Sequence, residues 1–327
     1  MTTSMKSILV TGGAGYIGSA VCKELSDSGF LPVTLDNLST GHKDFVKWGP
    51  LIEADIADIA RVKSVLEEFN IEGVIHMAAS AYIGDSMENP TAYFSNNTGG
   101  TANLLNACFQ RGLNAFVFSS SCATYGNIQT DRHILESDPQ APINPYGLTK
   151  FHCEQMLQAL SELSEFKYVT LRYFNASGSE PTMTVGETHV PETHLIPLAI
   201  RAALDGSELR IYGGDYPTYD GSAVRDYVHV VDLAKAHVKA IQHILQGGES
   251  LGLNLGSGVG TSVLEIIQVI ESFGFQVKTQ MCRRRLGDPA FLVANPSMAW
   301  EALNWRASNS NIHDIIKSSI DWALIAR

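Results

Sequence analysis

An α/β fold, a doubly wound parallel sheet with a smaller mixed α/β lobe attached, is the class this sequence predicts, on three observations. Short β-branched runs alternate with amphipathic stretches through the first half of the chain, a glycine-rich turn joins the first run to the first amphipathic stretch, and the alternation breaks after about Asn175. The 327 residues suit one such body plus a lobe, or two domains. With 45 % apolar and 17 % charged residues the chain can bury a sizeable core, which excludes a disordered protein.

The strand-like runs are Ser7 to Val10, Pro32 to Leu35, Leu51 to Glu53, Val74 to His76, Ala115 to Ser119 and Tyr168 to Leu171. Helical segments between them mean parallel pairing with right-handed crossovers and helices on both faces. Tyr16 to Ser28 ends at Gly29 and Asn96 to Arg111 ends at Gly112, each glycine standing where a helix stops in left-handed backbone. Residues 1–175 are therefore expected to form the first domain and 176–327 the lobe. Because Leu251 to Leu255 again reads as a buried strand, the chain is expected to return to the first domain near 225–256.

Charge and composition narrow the partners. The formal net charge is −11, and the basic triplet Arg283-Arg284-Arg285 is isolated, so nucleic acid is not expected as a partner. Met1 to Lys6 leads straight into a short strand, with no signal or transit pattern, and no apolar stretch approaches the ~20 residues that cross a bilayer. Cys22, Cys108, Cys122, Cys153 and Cys282 are scattered and odd in number, which favours reduced packing thiols in a cytoplasm.

Thr11-Gly12-Gly13-Ala14-Gly15-Tyr16-Ile17-Gly18 follows the first strand and opens the first helix. Glycines there allow a tight turn and let a pyrophosphate lie against main-chain N–H groups at a helix N-terminus. A glycine-rich turn can also simply join strand to helix. Here, however, the second strand ends in Leu35-Asp36, 18 residues after Gly18, where a carboxylate can take both hydroxyls of an adenosine ribose. This makes the sheet Rossmann-type. The acid would repel a 2′-phosphate, so NAD is expected over NADP, with Lys43 close enough in sequence to leave NADP open. Asp55-Ile56 could meet the adenine edge, and Ala78-Ala79-Ser80 supplies small residues that admit a cofactor to the backbone.

Tyr146 and Lys150 lie four residues apart on one face of a helix that starts at Pro145. A phenol titrates near 10, and a neighbouring ammonium together with a cationic nicotinamide is expected to lower it towards use as a base. An exposed Tyr/Lys pair is the bland alternative. Ser119-Ser120-Ser121, at the carboxyl end of the fifth strand, favours the chemical reading, because open α/β sheets place their sites at that edge. His189, Glu192 and His194 read as a polar loop cluster, since His-x-x-x-x-His does not put two imidazoles on one helix face, and no metal is expected. His76 and His229 read as structural.

The glycine pattern, Asp36, the serine triplet and Tyr146…Lys150 resemble the extended short-chain dehydrogenase/reductase family. Leu171-Arg172-Tyr173-Phe174-Asn175, Val224-Arg225-Asp226-Tyr227-Val228-His229-Val230 and Arg284-Arg285-Leu286-Gly287-Asp288 extend the likeness towards its UDP-sugar 4-epimerases over nearly the whole chain. The resemblance implies an NAD-dependent isomerase that interconverts UDP-glucose and UDP-galactose through a transient 4-ketose, working as a homodimer. It makes Ser121 the hydroxyl on the sugar 4-OH, Tyr146 the base and Lys150 the partner of the nicotinamide ribose. Gly12, Gly15, Tyr16, Ile17, Gly18, Asp36, Asn37, Asp55, Ile56 and Asn96 would line the cofactor with Ala78, Ala79 and Ser80; Asn175, Arg225, Arg285 and Asp288 would hold the UDP moiety. Residues alone leave Arg225 a strand-surface charge and the arginine triplet a solvated face. Some relatives carry lysine at Ala81 and asparagine at His194. Leu292 takes the place that gauges room for an N-acetyl group, which leans the substrate towards unmodified hexoses over N-acetylhexosamines or pentoses. A nucleotide-sugar 4,6-dehydratase or decarboxylase would share the front half, but Cys122-Ala123 follow Ser121 and leave no acid/base pair for eliminating water. A non-catalytic dinucleotide sensor would have no need of the Ser/Tyr/Lys set.

Overall fold

The computed structural model describes residues 5–128, 132–285 and 288–326. Met1 to Ser4 of the amino-terminal segment, and Leu286 and Gly287 of the Arg-Arg-Leu-Gly-Asp run, lie outside them. The strands in chain order are β1 (Ser7–Thr11), β2 (Leu31–Asp36), β3 (Leu51–Glu53), β4 (Ile71–His76), β5 (Ala115–Ser121), β6 (Lys167–Tyr173), β7 (Asn175–Ser177), β8 (Glu208–Tyr212), β9 (Val224–His229), β10 (Leu251–Leu255), β11 (Gly260–Ser262), β12 (Lys278–Cys282) and β13 (Phe291–Leu292). The helices are α1 (Tyr16–Asp27), α2 (Ile59–Glu68), α3 (Ile83–Glu88), α4 (Pro90–Tyr93), α5 (Gly100–Arg111), α6 (Pro145–Leu163), α7 (Leu195–Asp205), α8 (Val230–Leu245), α9 (Val263–Ser272), α10 (Ser297–Leu303) and α11 (Ile312–Ile325). No helix among the described residues is long and apolar enough to cross a membrane.

Seven strands form one parallel sheet in the order β10-β6-β5-β4-β1-β2-β3. Alternation along each strand explains its two covered faces. Ile8, Val10, Ile75, Val117 and Leu171 point to the side packed by α1 and α8, whereas Leu9, Val74, Phe116 and Phe118 point to the side packed by α2, α5 and α6. The order reverses between β1 and β4, so the carboxyl ends of these neighbours flank the crevice in which open α/β sheets bind ligands. The run Leu251 to Leu255 does join this sheet, as its outer strand beside β6.

Three local outcomes differ from the sequence reading. The helix expected from Asn96 begins earlier, at Pro90, and passes through a π-helical stretch, Phe94–Gly99, before α5. Such a stretch adds a residue to the turn and is common at functional sites. Strand β5 runs two residues beyond the expected Ser119, so that the serine triplet forms its carboxyl end. Two small sheets were not anticipated: β7, β9, β11 and β13 form one, and β8 and β12 the other. Their strands are two to six residues long and partly exposed, so they carry little alternation to read. The lobe's own core gathers Ile196, Ile200, Ile211, Ile266, Ile270 and Ile316.

Candidate active site

Helix α1 has Gly15 at its N-cap, with no side-chain cap and no acid in its first turn, although its leading N–H groups need acceptors. The turn before it is built to be bare. Gly12 has φ +72°, and a Cβ there would come within 2.7 Å of the Ala78 backbone N; at Gly18 a Cβ would meet the Gly12 carbonyl at 2.1 Å. The glycine turn thus lies directly on the loop leaving β4, with space and donors suited to a diphosphate, and NAD fits this donor set. Asp36, at the end of β2, holds its carboxylate beside this turn, accepting from Ala14 N at 3.0 Å and Leu38 N at 2.9 Å. Burial raises its pKa despite those two bonds. Next to it Asn37 Nδ2 donates to Asp55 Oδ2 at 2.8 Å, and Ile56 is buried against Gly100. Tyr16 is buried and donates its hydroxyl to the Gly178 carbonyl, while Ile17 packs on the main core.

The π-helical stretch faces the loop Ala78-Ala79-Ser80. Asn96 Nδ2 donates to Ser80 Oγ at 3.0 Å. Asn97, missed in the sequence, does more: its amide accepts from Ser80 N at 2.8 Å and donates to Ser80 O and Thr149 Oγ1, both at 3.0 Å. It therefore fixes the loop leaving β4 to helix α6, which carries Tyr146 and Lys150. Only the crowding of Asn96-Asn97 in a helical pattern hinted at this, because the π turn is what lets both amides face one loop.

Helix α6 is entered through Asn144, whose side chain accepts from Gly147 N at 2.8 Å, followed by Pro145 at the first helical position. These features set where the helix starts and therefore where Tyr146 sits. Tyr146, Lys150 and Ser121 are all buried. Lys150 Nζ donates to the Ser119 carbonyl at 2.6 Å and lies 6.0 Å from the Tyr146 ring centre. Burial pulls the lysine down to about 8. The expected lowering of the phenol is not met among the side chains: burial, followed by the neighbouring Tyr173, holds Tyr146 well above its ordinary value, with Ser121 pulling the other way. The ring is closed off from water, and the lysine directs its ammonium at a backbone oxygen. Beneath the triplet Ser120 Oγ donates to Glu154 Oε1 at 2.5 Å, and Arg172 Nη2 grips Glu154 Oε2 at 2.6 Å. Glu154 was also missed; it continues the four-residue spacing of Tyr146 and Lys150 by one more turn, which is the signal that could have found it.

In the second half of the chain, β9 carries Arg225, ion-paired with Asp288 and aligned with Leu292 on β13. Asn175 Nδ2 donates to the Asp226 carbonyl at 2.8 Å, and the Arg285 guanidinium stacks over Tyr212 at 4.1 Å. Cys122 links the two sides: its thiol, pushed up to about 12 by burial, is next to Ser121 in sequence and feels both Arg225 and Asp226. The structure thus brings Ser121, Tyr146 and Lys150 together, with Arg225 close enough to act on the thiol that follows Ser121.

His194 and His189 lie in the segment before α7 with Glu187 and Glu192. Burial opposes their charge, but the two carboxylates outweigh it and lift His189 to about 9 and His194 to about 10. His76 is structural, its ring held between Thr11 Oγ1 at 2.7 Å and Thr101 Oγ1 at 2.8 Å; His229 caps α8 through Val231 N at 3.2 Å.

Residues 8–256 match the model of the NAD dependent epimerase/dehydratase family. A protein of Rhizobium meliloti (strain 1021), a UDP-glucose 4-epimerase, is 47 % identical over 318 residues, covering 97 % of this chain and 96 % of its own. The crystal structure of UDP-glucose 4-epimerase from Brucella ovis in complex with NAD superposes with a TM-score of 0.94 at 47 % identity, over 97 % of this chain and 98 % of that one. The UDP-glucose-4-epimerase from Stenotrophomonas maltophila, with bound NAD and formylated UDP-arabinopyranose, gives 0.95 at 37 % identity over 99 % of both chains. With a family match across three-quarters of its length and relatives of this similarity, the chain belongs to the NAD dependent epimerase/dehydratase family.

Proposed function

We propose that this protein is an NAD-dependent isomerase that interconverts UDP-glucose and UDP-galactose by inverting C4 of the hexose. The observation that supports the reading is a line of contacts: the uncapped glycine turn lies on the loop leaving β4, Asn97 ties that loop to the helix of buried Tyr146 and Lys150, and Cys122, next to Ser121, feels the Arg225 charge paired with Asp288. Two structural neighbours solved with NAD, one of them also with a UDP-sugar, support it. The sheet, residues 1–175 with the return through 225–256, would hold the cofactor; the lobe of 176–327 would hold the nucleotide sugar.

Gly12, Gly15 and Gly18 with the N–H groups of Tyr16 and Ile17 would receive the cofactor's diphosphate, and Asp36 its adenosine ribose, which favours NAD over NADP. When bound, the dinucleotide supplies the acceptor, and then the donor, of the carbon-bound C4 hydride. Tyr146 Oη would take the 4-hydroxyl proton, directly or through Ser121 Oγ, and return it after the sugar has turned. Burial keeps the phenol protonated, so the base form must be drawn out by the charges present in the assembled complex. Lys150 would hold the nicotinamide ribose. Arg225 and Arg285 would clamp the diphosphate, and Asp288 and Asn175 would meet the uridine side. Firm grip on the nucleotide with little on the hexose is what turnover of a rotating ketose requires.

Incubating the protein with UDP-galactose and no added cofactor should give UDP-glucose; a 4-keto-6-deoxy sugar, or no conversion, would overturn the reading. Tyr146→Phe should retain its dinucleotide, measured by absorbance of the acid extract, yet lose about 10²–10⁴-fold in kcat. Full turnover in that variant would remove the assigned base.

A further inference from the structure

The segment between β7 and α7 gathers four metal-binding side chains that the proposed reaction does not use. Glu187, His189, Glu192 and His194 each offer one ligand atom, and these atoms lie within 4.8 Å of one another. His194 Nδ1 is 2.7 Å from Glu187 Oε1 and 3.0 Å from Glu192 Oε1; His189 Nδ1 is 3.3 Å from Glu187 Oε1 and 3.8 Å from Glu192 Oε2. Four donors at about 2.0–2.2 Å from a tetrahedral centre are about 3.3–3.6 Å apart, so the observed spacings straddle that of a closed four-coordinate shell.

We propose that Glu187, His189, Glu192 and His194 form a binding site for a divalent transition-metal ion, with zinc the best match to two imidazole nitrogens and two carboxylates. Calcium and magnesium prefer all-oxygen shells, whereas imidazole suits the borderline ions. A second observation agrees. His189 Nδ1 is shielded from solvent and makes no aligned hydrogen bond among the described residues, although Glu187 is at ion-pair distance. A shielded ring nitrogen within 3.3 and 3.8 Å of two carboxylates, with no aligned hydrogen bond to either, leaves its lone pair for a shared central ion.

The surroundings hold the donors in place, as outer-shell contacts do in metal sites. Glu192 Oε1 accepts from Thr193 N at 2.7 Å and His194 N at 2.8 Å. Both carboxylate side chains are more than nine-tenths buried, and His194, half exposed, leaves a way in from solvent. His189 packs edge-on against Tyr16 at 6.3 Å and Tyr82 at 5.7 Å between ring centres. The ion would therefore fasten this segment beside the glycine turn, where His42 Nε2 already meets the Thr188 carbonyl at 3.1 Å. Its role is to hold the segment in place, with all four positions filled by protein.

The test uses the full-length protein with its dinucleotide retained, stripped of metal by a chelator and titrated with zinc sulfate against a chromophoric competitor. One equivalent should bind, and cobalt(II) in its place should show the intense visible bands of a tetrahedral N/O site. His189→Ala and Glu192→Gln should each weaken zinc by at least about 10–100-fold, the loss known for removal of a mere outer-shell partner. His313→Ala, at the exposed start of α11, should leave zinc affinity unchanged. No stoichiometric zinc binding by the wild type, or octahedral cobalt bands, overturns the proposal whether or not the variants fold. So does equal binding by wild type and folded His189→Ala.

Discussion

Arg225 shows how far a single residue can be read from sequence and where the reading stops. On β9 it is a charge in a strand, and sequence alone makes it a surface group. In the structure its side chain is only 13 % exposed, and its charge is balanced by Asp288, 63 positions further on, a contact that no local pattern announces. Exchanging a diphosphate for that carboxylate costs the arginine little if the ligand brings equal charge. Arg225→Met should therefore raise the KM for UDP-galactose by about 10–100-fold, the worth of one charged hydrogen-bonding partner, with a smaller change in kcat. Steady-state kinetics over a range of substrate concentrations checks this; a fall in kcat at constant KM would place Arg225 in the chemistry instead. Tyr146 and Lys150 teach the complementary lesson. Their four-residue spacing on a helix was legible, but the burial that raises the phenol's pKa was not, because it depends on what closes over the ring.

At the scale of elements, the glycine turn was legible because its geometry leaves few residue types possible, whereas the π-helical stretch was not. Amino-acid pattern locates a helix by its apolar face, and one inserted residue shifts the phase without erasing the pattern. The shift is what aims Asn96 and Asn97 at Ser80. The turn gives a sharper prediction. An added methyl at Gly12 must accept a left-handed φ of +72° and displace the Ala78 backbone, 2.7 Å away, and the β4 loop cannot yield without moving Ser80 and its Asn97 bonds. Gly12→Ala should lower unfolding free energy by about 1–3 kcal/mol and yield protein stripped of dinucleotide on gel filtration. Chemical denaturation and the absorbance of the eluted protein test both halves. A variant that keeps cofactor at wild-type occupancy would mean that the turn is not the phosphate cradle.

For the whole molecule, the parallel sheet and its two covered faces follow from alternating apolar runs that needed only local reading, but the return of the chain through α8 and β10 ties distant segments together through buried polar groups. His237 on α8 is one such tie. Its Nδ1 meets the Leu233 carbonyl at 2.8 Å and its Nε2 meets Ser119 Oγ on β5, also at 2.8 Å, directly behind the carbonyl that holds Lys150. The neutral ring satisfies both contacts, as an N–H donor to the carbonyl and an acceptor from the hydroxyl; a second proton would remove the acceptor and bury a cation. Burial, helped by Lys150, depresses its pKa to about 4, and burial does the same to His76, to about 3. Both folded values lie below the ordinary 6.5, so between pH 6.5 and these values the unfolded chain binds more protons than the folded one. Stability contributed by the neutral rings is complete above pH 6.5 and is lost as pH falls. For one histidine, the loss from pH 6.5 to pH 5 is about 2 kcal/mol at 1.36 kcal/mol per unit. His237→Gln should be less stable than wild type at pH 7, having lost the ring's packing, yet should lose about 2 kcal/mol less between pH 7 and pH 5. Groups common to both proteins cancel in the comparison. Urea denaturation of both proteins at the two pH values decides the matter: an identical decline in variant and wild type would mean that His237 is not buried neutral between the returning helix and β5.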